Sequence, residues 1–118
     1  MAITEPGYLS ISATKCRDES GRLVLRARVH GGSFLYSSIS LNGGCNMIAR
    51  RLVGRYVLVT VGVNGNVIGF VAKVSARKKT AIAVVIPARF RGMFERGSVV
   101  EIRLRPIEGD KHVNGAGS

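Results

Sequence analysis

The sequence predicts a mainly β fold, a small pseudo-two-fold β-barrel with two short helices. Three observations predict it: apolar and polar residues alternate along several segments, turn signals separate these segments at even spacing, and the pattern occurs twice. Alternation with a period of two places one set of side chains on a core and the other in solvent. Short strands at even spacing are typical of a small barrel or sandwich.

The strands follow from alternation and from turn chemistry. Apolar side chains occupy every second position in residues 9–14 and again in residues 22–29. Residues 18–21 (DESG) between them indicate a hairpin turn, and residues 64–66 (NGN) indicate another. Further strands are expected in the remaining apolar, β-branched segments: residues 34–41, 55–63, 67–75, 80–86 and 98–106.

Two segments break the β pattern and are expected to be helical: residues 46–53 and residues 87–94. Pro87 suits a first helical turn because its missing N–H group is not needed there. Phe90 and Phe94 are four residues apart and would share one helix face.

An internal repeat defines the organisation of the chain. Residues 22–61 and 67–104 each read as strand, strand, short helix, strand, and Val57, Val59 and Val61 align with Val100, Ile102 and Leu104. Two halves that cannot bury their apolar faces alone are expected to close on each other as one pseudo-two-fold barrel. The sequence thus predicts one domain over residues 8–108, with a flexible lead (1–7) and a flexible tail (109–118).

Charge is the strongest functional signal. The 118 residues hold 18 Lys and Arg against 7 Asp and Glu, a formal net charge of +11. Basic proteins concentrate on phosphate-bearing polymers, so a polyanionic partner is expected. Few carboxylates remain for acid–base chemistry. The sequence therefore predicts a binding protein, not an enzyme, with no small-molecule substrate.

The remaining composition gives expectations about compartment and cofactors. No apolar run approaches the roughly 18 residues that span a bilayer, and residues 1–7 lack the basic and apolar regions of a secretory signal. Cys16 and Cys45 are too few for a disulfide framework and are expected to be buried thiols in a cytoplasmic protein, with their pairing undecided by spacing. Neither His30 nor His112 has metal-ligand spacing to them, so no metal or cofactor is expected.

One strand is expected to carry a basic stripe. Arg22, Arg26 and Arg28 lie on the same side of this strand, because strand side chains repeat every two residues. Like charges this close repel each other unless phosphates or neighbouring carboxylates compensate them. The stripe is therefore a candidate contact surface for a nucleic-acid backbone.

A charged turn is the second candidate. Lys73, Arg77, Lys78 and Lys79 surround the expected turn after residue 75 and could grip phosphates, as β-ribbon DNA binders do. The alternative is a solvated turn whose lysines discourage strand pairing at a sheet edge.

The two helical segments add further candidates. Arg50 and Arg51 lie on the first, and Arg89 and Arg91 lie on the second. Arg89 and Arg91 are two residues apart and do not share a helix face. The alternative is ordinary surface charge, with Arg91 and Glu95 at the spacing of a helical ion pair.

Residues 84–91 (VVIPARFR) and 95–102 (ERGSVVEI) resemble the AbrB-type motif, in which a strand ends in Ile-Pro and leads through a short basic helix to a closing strand. The likeness covers residues 69–104, and residues 47–61 share it more weakly, with Ala49 where the motif has Pro. The resemblance implies a swapped-hairpin or cradle-loop barrel that binds DNA. Single copies form dimers in this family, whereas two copies in one chain imply a double-psi-like barrel closed as a monomer.

The predicted function is nucleic-acid binding by phosphate neutralisation. The resemblance favours duplex DNA and a role as a transcription regulator or nucleoid-type protein, acting as a monomer or homodimer. Ala83 and Gly92 are uncharged where the family usually has basic residues. One alternative is binding of RNA or single-stranded DNA through exposed Tyr36 and Tyr56 beside the basic surface. Another is a protein-interaction module with an acidic partner.

Overall fold

The structure, a computed structural model, describes residues 16–107. Its strands form one curled antiparallel sheet, a half-barrel, in the order β4-β3-β7-β1-β2-β6-β5. The strands are β1 (Leu23–His30), β2 (Phe34–Ser37), β3 (Tyr56–Val63), β4 (Asn66–Lys73), β5 (Ser75–Arg77), β6 (Ala81–Val85) and β7 (Val99–Pro106). The helical segments within this range are α1 (Ile39–Asn42), α2 (Cys45–Arg50) and a 3-10 helix (Ala88–Met93). The mainly β, barrel-like fold with short helices is confirmed.

Three of the expectations fall on residues that the structure does not describe. The lead of residues 1–7, the strand in residues 9–14 and the tail of residues 109–118 lie outside the described range.

Alternation along the strands decides which side chains enter the core. In β1 the side chains of Leu23, Leu25, Ala27 and Val29 are buried, and those between them face outward. The same alternation in β3 and β7 completes an apolar interior from the inward faces of neighbouring strands. Apolar burial of this kind drives closure of the curled sheet, and it leaves the outward face available for polar and charged residues.

A tight hairpin joins β3 and β4. Val63 and Asn66 are directly paired, so the loop consists of Asn64 and Gly65. Both loop residues have positive φ, 52° and 77°, as a type I′ turn requires. The hairpin predicted from residues 64–66 is confirmed.

Strands β4, β3, β7 and β1, which are consecutive in the sheet, are related by pseudo-two-fold symmetry. An axis through the paired residues Thr60 and Arg103 exchanges β3 with β7 and β1 with β4. This exchange matches Val57, Val59 and Val61 with Val100, Ile102 and Leu104, the alignment predicted from the sequence. Strands β2 and β6 pair with each other beyond β1 in the sheet. The two halves thus contribute strands to one sheet.

The strand expected over residues 34–41 ends early, at Ser37, and α1 follows. The reason is a buried polar network. Asn46 is fully buried; it accepts a hydrogen bond from the Ser37 hydroxyl, and its amide donates to the carbonyl of Thr80. The Asn42 amide donates to the Ser37 hydroxyl (2.8 Å) and to the carbonyl of Arg26 (2.9 Å). These tertiary contacts turn the chain away from the sheet.

The helix expected over residues 87–94 is a 3-10 helix, and the one expected over residues 46–53 spans Cys45–Arg50. The Phe90 ring lies 6.0 Å from the ring of Phe70 on β4, so the 3-10 helix packs against the sheet. Aromatic contacts at this distance are favourable beyond simple burial. The two helical interruptions of the β pattern are therefore confirmed, with shorter bounds.

The expectation of two buried thiols is wrong. Cys16 and Cys45 form a disulfide with a Cα–Cα distance of 5.4 Å. The bridge ties the segment preceding β1 to the start of α2. Residues 29 positions apart come together only because α2 folds back over β1, and this is a tertiary contact.

Candidate nucleic-acid interface

The positive charge is mostly unneutralised within the described chain. Residues 16–107 contain sixteen of the 18 basic residues and four of the seven acidic ones. The ion pairs within this range join Asp18 to Arg22 (2.9 Å) and to Arg103 (3.2 Å), and Glu101 to Arg103 (2.9 Å). The other fourteen basic side chains have no carboxylate partner in the part of the chain that the structure describes.

Arg22 differs from the other predicted contacts because its charge is neutralised. Its Nε donates to Asp18 Oδ2, and its backbone N–H donates to Oδ1. Partial burial alone would raise the pKa of Asp18, but hydrogen bonds from the Ser20 hydroxyl and from Arg22 outweigh it and hold this pKa well below its ordinary value. Arg22 therefore stabilises the turn before β1.

Arg26 and Arg28 lie side by side on the outward face of β1, as the alternation predicted. Arg26 is exposed, and its backbone N–H donates to the side-chain carbonyl of Asn42 (2.6 Å). The guanidinium of Arg28 donates to the carbonyl of Gly97 (2.9 Å), which restrains it. These two arginines form the part of the stripe that an external phosphate can reach.

Aromatic rings lie next to these arginines on β1 and β2. Tyr36 is the direct cross-strand partner of Arg28, and its ring lies 5.9 Å from the ring of His30. The guanidinium of Arg77 on β5 lies 5.2 Å from the ring centroid of Phe34, a cation–π distance. We call this surface the basic–aromatic face; its members are Arg26, Arg28, His30, Phe34, Tyr36 and Arg77.

Lys78, Lys79 and Arg50 form a second group, the turn cluster. Both lysines are exposed in the turn between β5 and β6, and Lys78 has a positive φ of 52°. The guanidinium of Arg50 lies 3.4 Å from the carbonyl of Ala81, directly after that turn. Asn46 holds the carbonyl of Thr80, so the buried network positions the cluster.

The remaining predicted residues lie apart from these groups. Lys73 on β4 lies 5.8 Å above the ring of Tyr56, and Arg51 is exposed at the end of α2. On the 3-10 helix, the guanidinium of Arg89 lies over the ring of Phe90 (4.6 Å). Arg91 Nε donates to the carbonyl of Ile86 (2.8 Å). Glu95 is therefore not the partner of Arg91 in this structure.

Sequence reasoning missed Arg96. Its side chain lies close to Gly32 in the turn between β1 and β2, since a Cβ on that glycine would come within 3.4 Å of Arg96 Nε. It therefore adds a cation at the end of the basic–aromatic face. No pattern in the sequence indicates this proximity, because residues 32 and 96 come together only through the pairing of β1 with β7.

The surface carries other features that bear on chemistry. A depression lined by Asn64, Met93, Glu95 and Glu101, among others, contains none of the predicted cations. Within residues 16–107, no three His, Cys, Asp or Glu side chains come together as metal ligands would. None of the helical segments in residues 16–107 has the length and hydrophobicity of a membrane-spanning helix.

The outward face of the β3–β4 hairpin is apolar, in contrast to the basic–aromatic face. Tyr56, Leu58, Val67 and Val71 are exposed there, with Val67 keeping 75% of its surface accessible. Tyr56 therefore lies beside apolar neighbours and one lysine, whereas Tyr36 lies among arginines.

Comparison with known proteins identifies no relative: no protein-family model, curated protein or solved structure matches this chain.

Proposed function

We propose that this protein binds nucleic acid through its unneutralised cationic surface. One observation carries the proposal: fourteen of the sixteen basic side chains in residues 16–107 have no carboxylate partner there. Such charges repel one another in the free protein and are relieved by a polyanion. Phosphates supply that charge at regular spacing, and neutralising them releases counterions.

The AbrB-type resemblance of residues 84–102 supports duplex DNA as the ligand and a transcription-regulator or nucleoid-type role. The turn cluster suits this ligand, because its two exposed lysines project from a β-turn that can reach phosphates. A second candidate, RNA or single-stranded DNA, is favoured by Tyr36 and His30 lying beside Arg26 and Arg28.

The disulfide bears on where this activity takes place. Disulfides persist mainly in oxidising compartments and in the cells of hyperthermophiles. The cytoplasm was expected because the two cysteines were expected to be free thiols. The Cys16–Cys45 bridge removes that support for a reducing cytoplasm. A cytoplasmic location, which we propose, is compatible with this bridge in the cells of hyperthermophiles, where intracellular disulfides persist.

The test is fluorescence anisotropy with labelled duplex DNA, single-stranded DNA and RNA across salt concentrations. If six or more phosphates are contacted, affinity should fall about a thousandfold between 50 and 200 mM salt. Polyglutamate of equal charge serves as the comparison polyanion. Equal affinity for polyglutamate would instead favour the acidic-protein alternative, and no binding to any nucleic acid would reject the proposal.

Charge reversal locates the contacts. Lys78→Glu with Lys79→Glu should weaken duplex binding at least tenfold and lower the salt slope by about two, because each phosphate contact contributes about 0.9 to that slope. The matched control is Arg17→Glu with Arg105→Glu, which gives the same net charge from two exposed arginines outside the predicted set. Equal losses in both variants would show that the turn cluster has no special role.

A further inference from the structure

The basic–aromatic face combines several cations with two neighbouring rings that are not fully buried, those of His30 and Tyr36. Arg89 also lies over a ring, that of Phe90, but the neighbouring ring of Phe70 is buried. Tyr36 is half-buried and His30 is exposed, and their rings lie 5.9 Å apart at an angle of 35°. Phe34 lies on the same face, beneath the guanidinium of Arg77. These two rings, of Tyr36 and His30, therefore remain at least partly accessible on the surface of the sheet.

The location of the rings decides which form of nucleic acid they can contact. They lie on the outward faces of β1 and β2, which have neighbouring strands on both sides in the sheet. A helix or a two-stranded ribbon enters the major groove of an unbent duplex, whereas a sheet that binds the minor groove must kink the DNA at an energetic cost. Unstacked bases of a single strand, by contrast, can lie flat on exposed rings.

The charges complete such a site. Arg28 lies directly opposite Tyr36 in the β1–β2 register, and its guanidinium is fixed by the carbonyl of Gly97. Arg26 lies two positions along β1 and has no carboxylate within ion-pair distance among the described residues. Its cross-strand neighbour Glu101 pairs with Arg103 instead. A backbone crossing β1 would thus meet cations while its bases reach the rings.

We propose that the basic–aromatic face binds single-stranded nucleic acid, with a base stacked on Tyr36 and His30 and the adjoining phosphates on Arg26 and Arg28. This inference rests on the proposed function and names its ligand class. The shared chemistry is a flexible phosphodiester chain with unpaired bases, and DNA and RNA are separated by the experiment. Stacking tolerates all four bases, so sequence preference is weak.

The experiment uses the full chain with its disulfide intact and measures anisotropy of labelled oligo-dT, oligo-U and a duplex of mixed sequence at one salt concentration. We expect both single strands to bind at least tenfold more tightly than the duplex. Tighter binding of oligo-U than oligo-dT assigns RNA through the 2′-hydroxyl, and the reverse assigns DNA. Preference for the duplex overturns this inference and leaves the proposed function standing, whereas no binding to any of the three rejects both.

Tyr36→Leu tests the stacking step, because it keeps apolar bulk and removes the ring. Single-strand affinity should fall at least fivefold, the lower end of the cost of losing one stacked base. Tyr36→Phe should retain most of it. The matched control is Tyr56→Leu, a tyrosine on an outward strand face that is 42% exposed and has apolar neighbours. Equal effects of Tyr36→Leu and Tyr56→Leu would overturn the proposal.

Crosslinking of the unmodified protein provides an answer that does not depend on the folding of variants. Single strands with photoreactive 5-bromouracil or 4-thiouracil bases should crosslink within residues 26–36, identified by mass spectrometry of the peptides. Crosslinks confined to residues 78–91 would place the bases elsewhere and would reject the stacking site.

Discussion

The two halves of the sheet have matching interiors and different surfaces. The pseudo-two-fold axis superposes β1 on β4, so that buried Leu25, Ala27 and Val29 correspond to buried Phe70, Ala72 and Val74. Inward positions are constrained because a close-packed core tolerates few changes in volume.

The outward-facing residues of β1 and β4, by contrast, do not match. On β1 they carry Arg26 and Arg28, whereas the corresponding positions on β4 carry Val71 and Lys73. Strand β1 thus presents a cationic surface beside the rings of β2, whereas β4 presents a mainly apolar surface with one lysine. The repeat thus constrains the buried residues of the two halves, whereas their solvent-facing residues can differ.

The halves also differ in how their helical segments are held. In the first half the Cys16–Cys45 bridge and the Asn46 network attach α2 to the sheet. In the second half the 3-10 helix packs through the contact of Phe90 with Phe70. One attachment is covalent and polar, and the other is apolar. Removing each attachment separately measures how much it contributes to stability.

The largest expected effect is loss of the disulfide. A bridge between residues 29 positions apart restricts the unfolded chain, and the chain-entropy model gives about 3–4 kcal/mol for a loop of this size. Cys16→Ser with Cys45→Ser should lower the free energy of unfolding by that amount in denaturant titrations. Hydrogen exchange should increase mainly in α2 and β1, with the β3–β4 hairpin less affected. An unchanged midpoint would contradict this, and added reductant should not affect the variant.

The next largest effect on the free energy of unfolding is expected from removal of the buried amide of Asn46. Asn46→Leu should cost about 2–3 kcal/mol, because it removes the donor to the Thr80 carbonyl and the acceptor of the Ser37 hydroxyl in the interior. Phe90→Leu in the other half should cost about 1 kcal/mol, since this side chain is only half-buried. Thermal or denaturant unfolding of the two variants gives the comparison. A larger loss for Phe90→Leu would show that the apolar attachment dominates.

The smallest expected effect concerns the turns that precede β1 and β4. The turn before β4 depends on the positive φ angles of Asn64 and Gly65, whereas the turn before β1 depends on the carboxylate of Asp18. Because the folded state lowers the pKa of Asp18, this group stabilises the protein above its ordinary pKa of about 3.9. That stability is lost as the pH falls below this value toward the lower folded-state pKa.

Asp18→Asn should therefore be less stable than the wild type at pH 7, and the difference should shrink as the pH falls below about 4. Unfolding midpoints measured from pH 7 to pH 2 test this. Glu19→Gln is the control at the neighbouring exposed position and should change the free energy of unfolding by less than about 0.5 kcal/mol at pH 7. A difference between Asp18→Asn and wild type that is independent of pH would contradict the role of the carboxylate.

Much of the fold could be predicted because it follows from local rules. Alternation located β1, β3 and β7, the Asn64–Gly65 turn located the hairpin, and the repeat predicted the pairing symmetry. The end of β2 at Ser37 was not predictable, because it depends on a buried amide from residue 46. The disulfide was missed for the same reason, since spacing along the chain does not reveal proximity in the fold.

Some features of the candidate site were likewise predictable from the sequence, and others were not. The sequence showed that Arg26 and Arg28 share a strand face, because the side-chain period of a strand is fixed by its backbone. It did not show that Arg22 is neutralised by Asp18, or that Arg77 lies over Phe34.

By itself, the sequence determined the excess of positive charge, the alternating strands and the twofold repeat, since composition and period are properties of the chain. The tertiary structure alone decided which cations are neutralised, which ones surround aromatic rings and how the two cysteines pair. Most of these depend on distances between residues far apart in the chain, and only the folding of the curled sheet sets those distances.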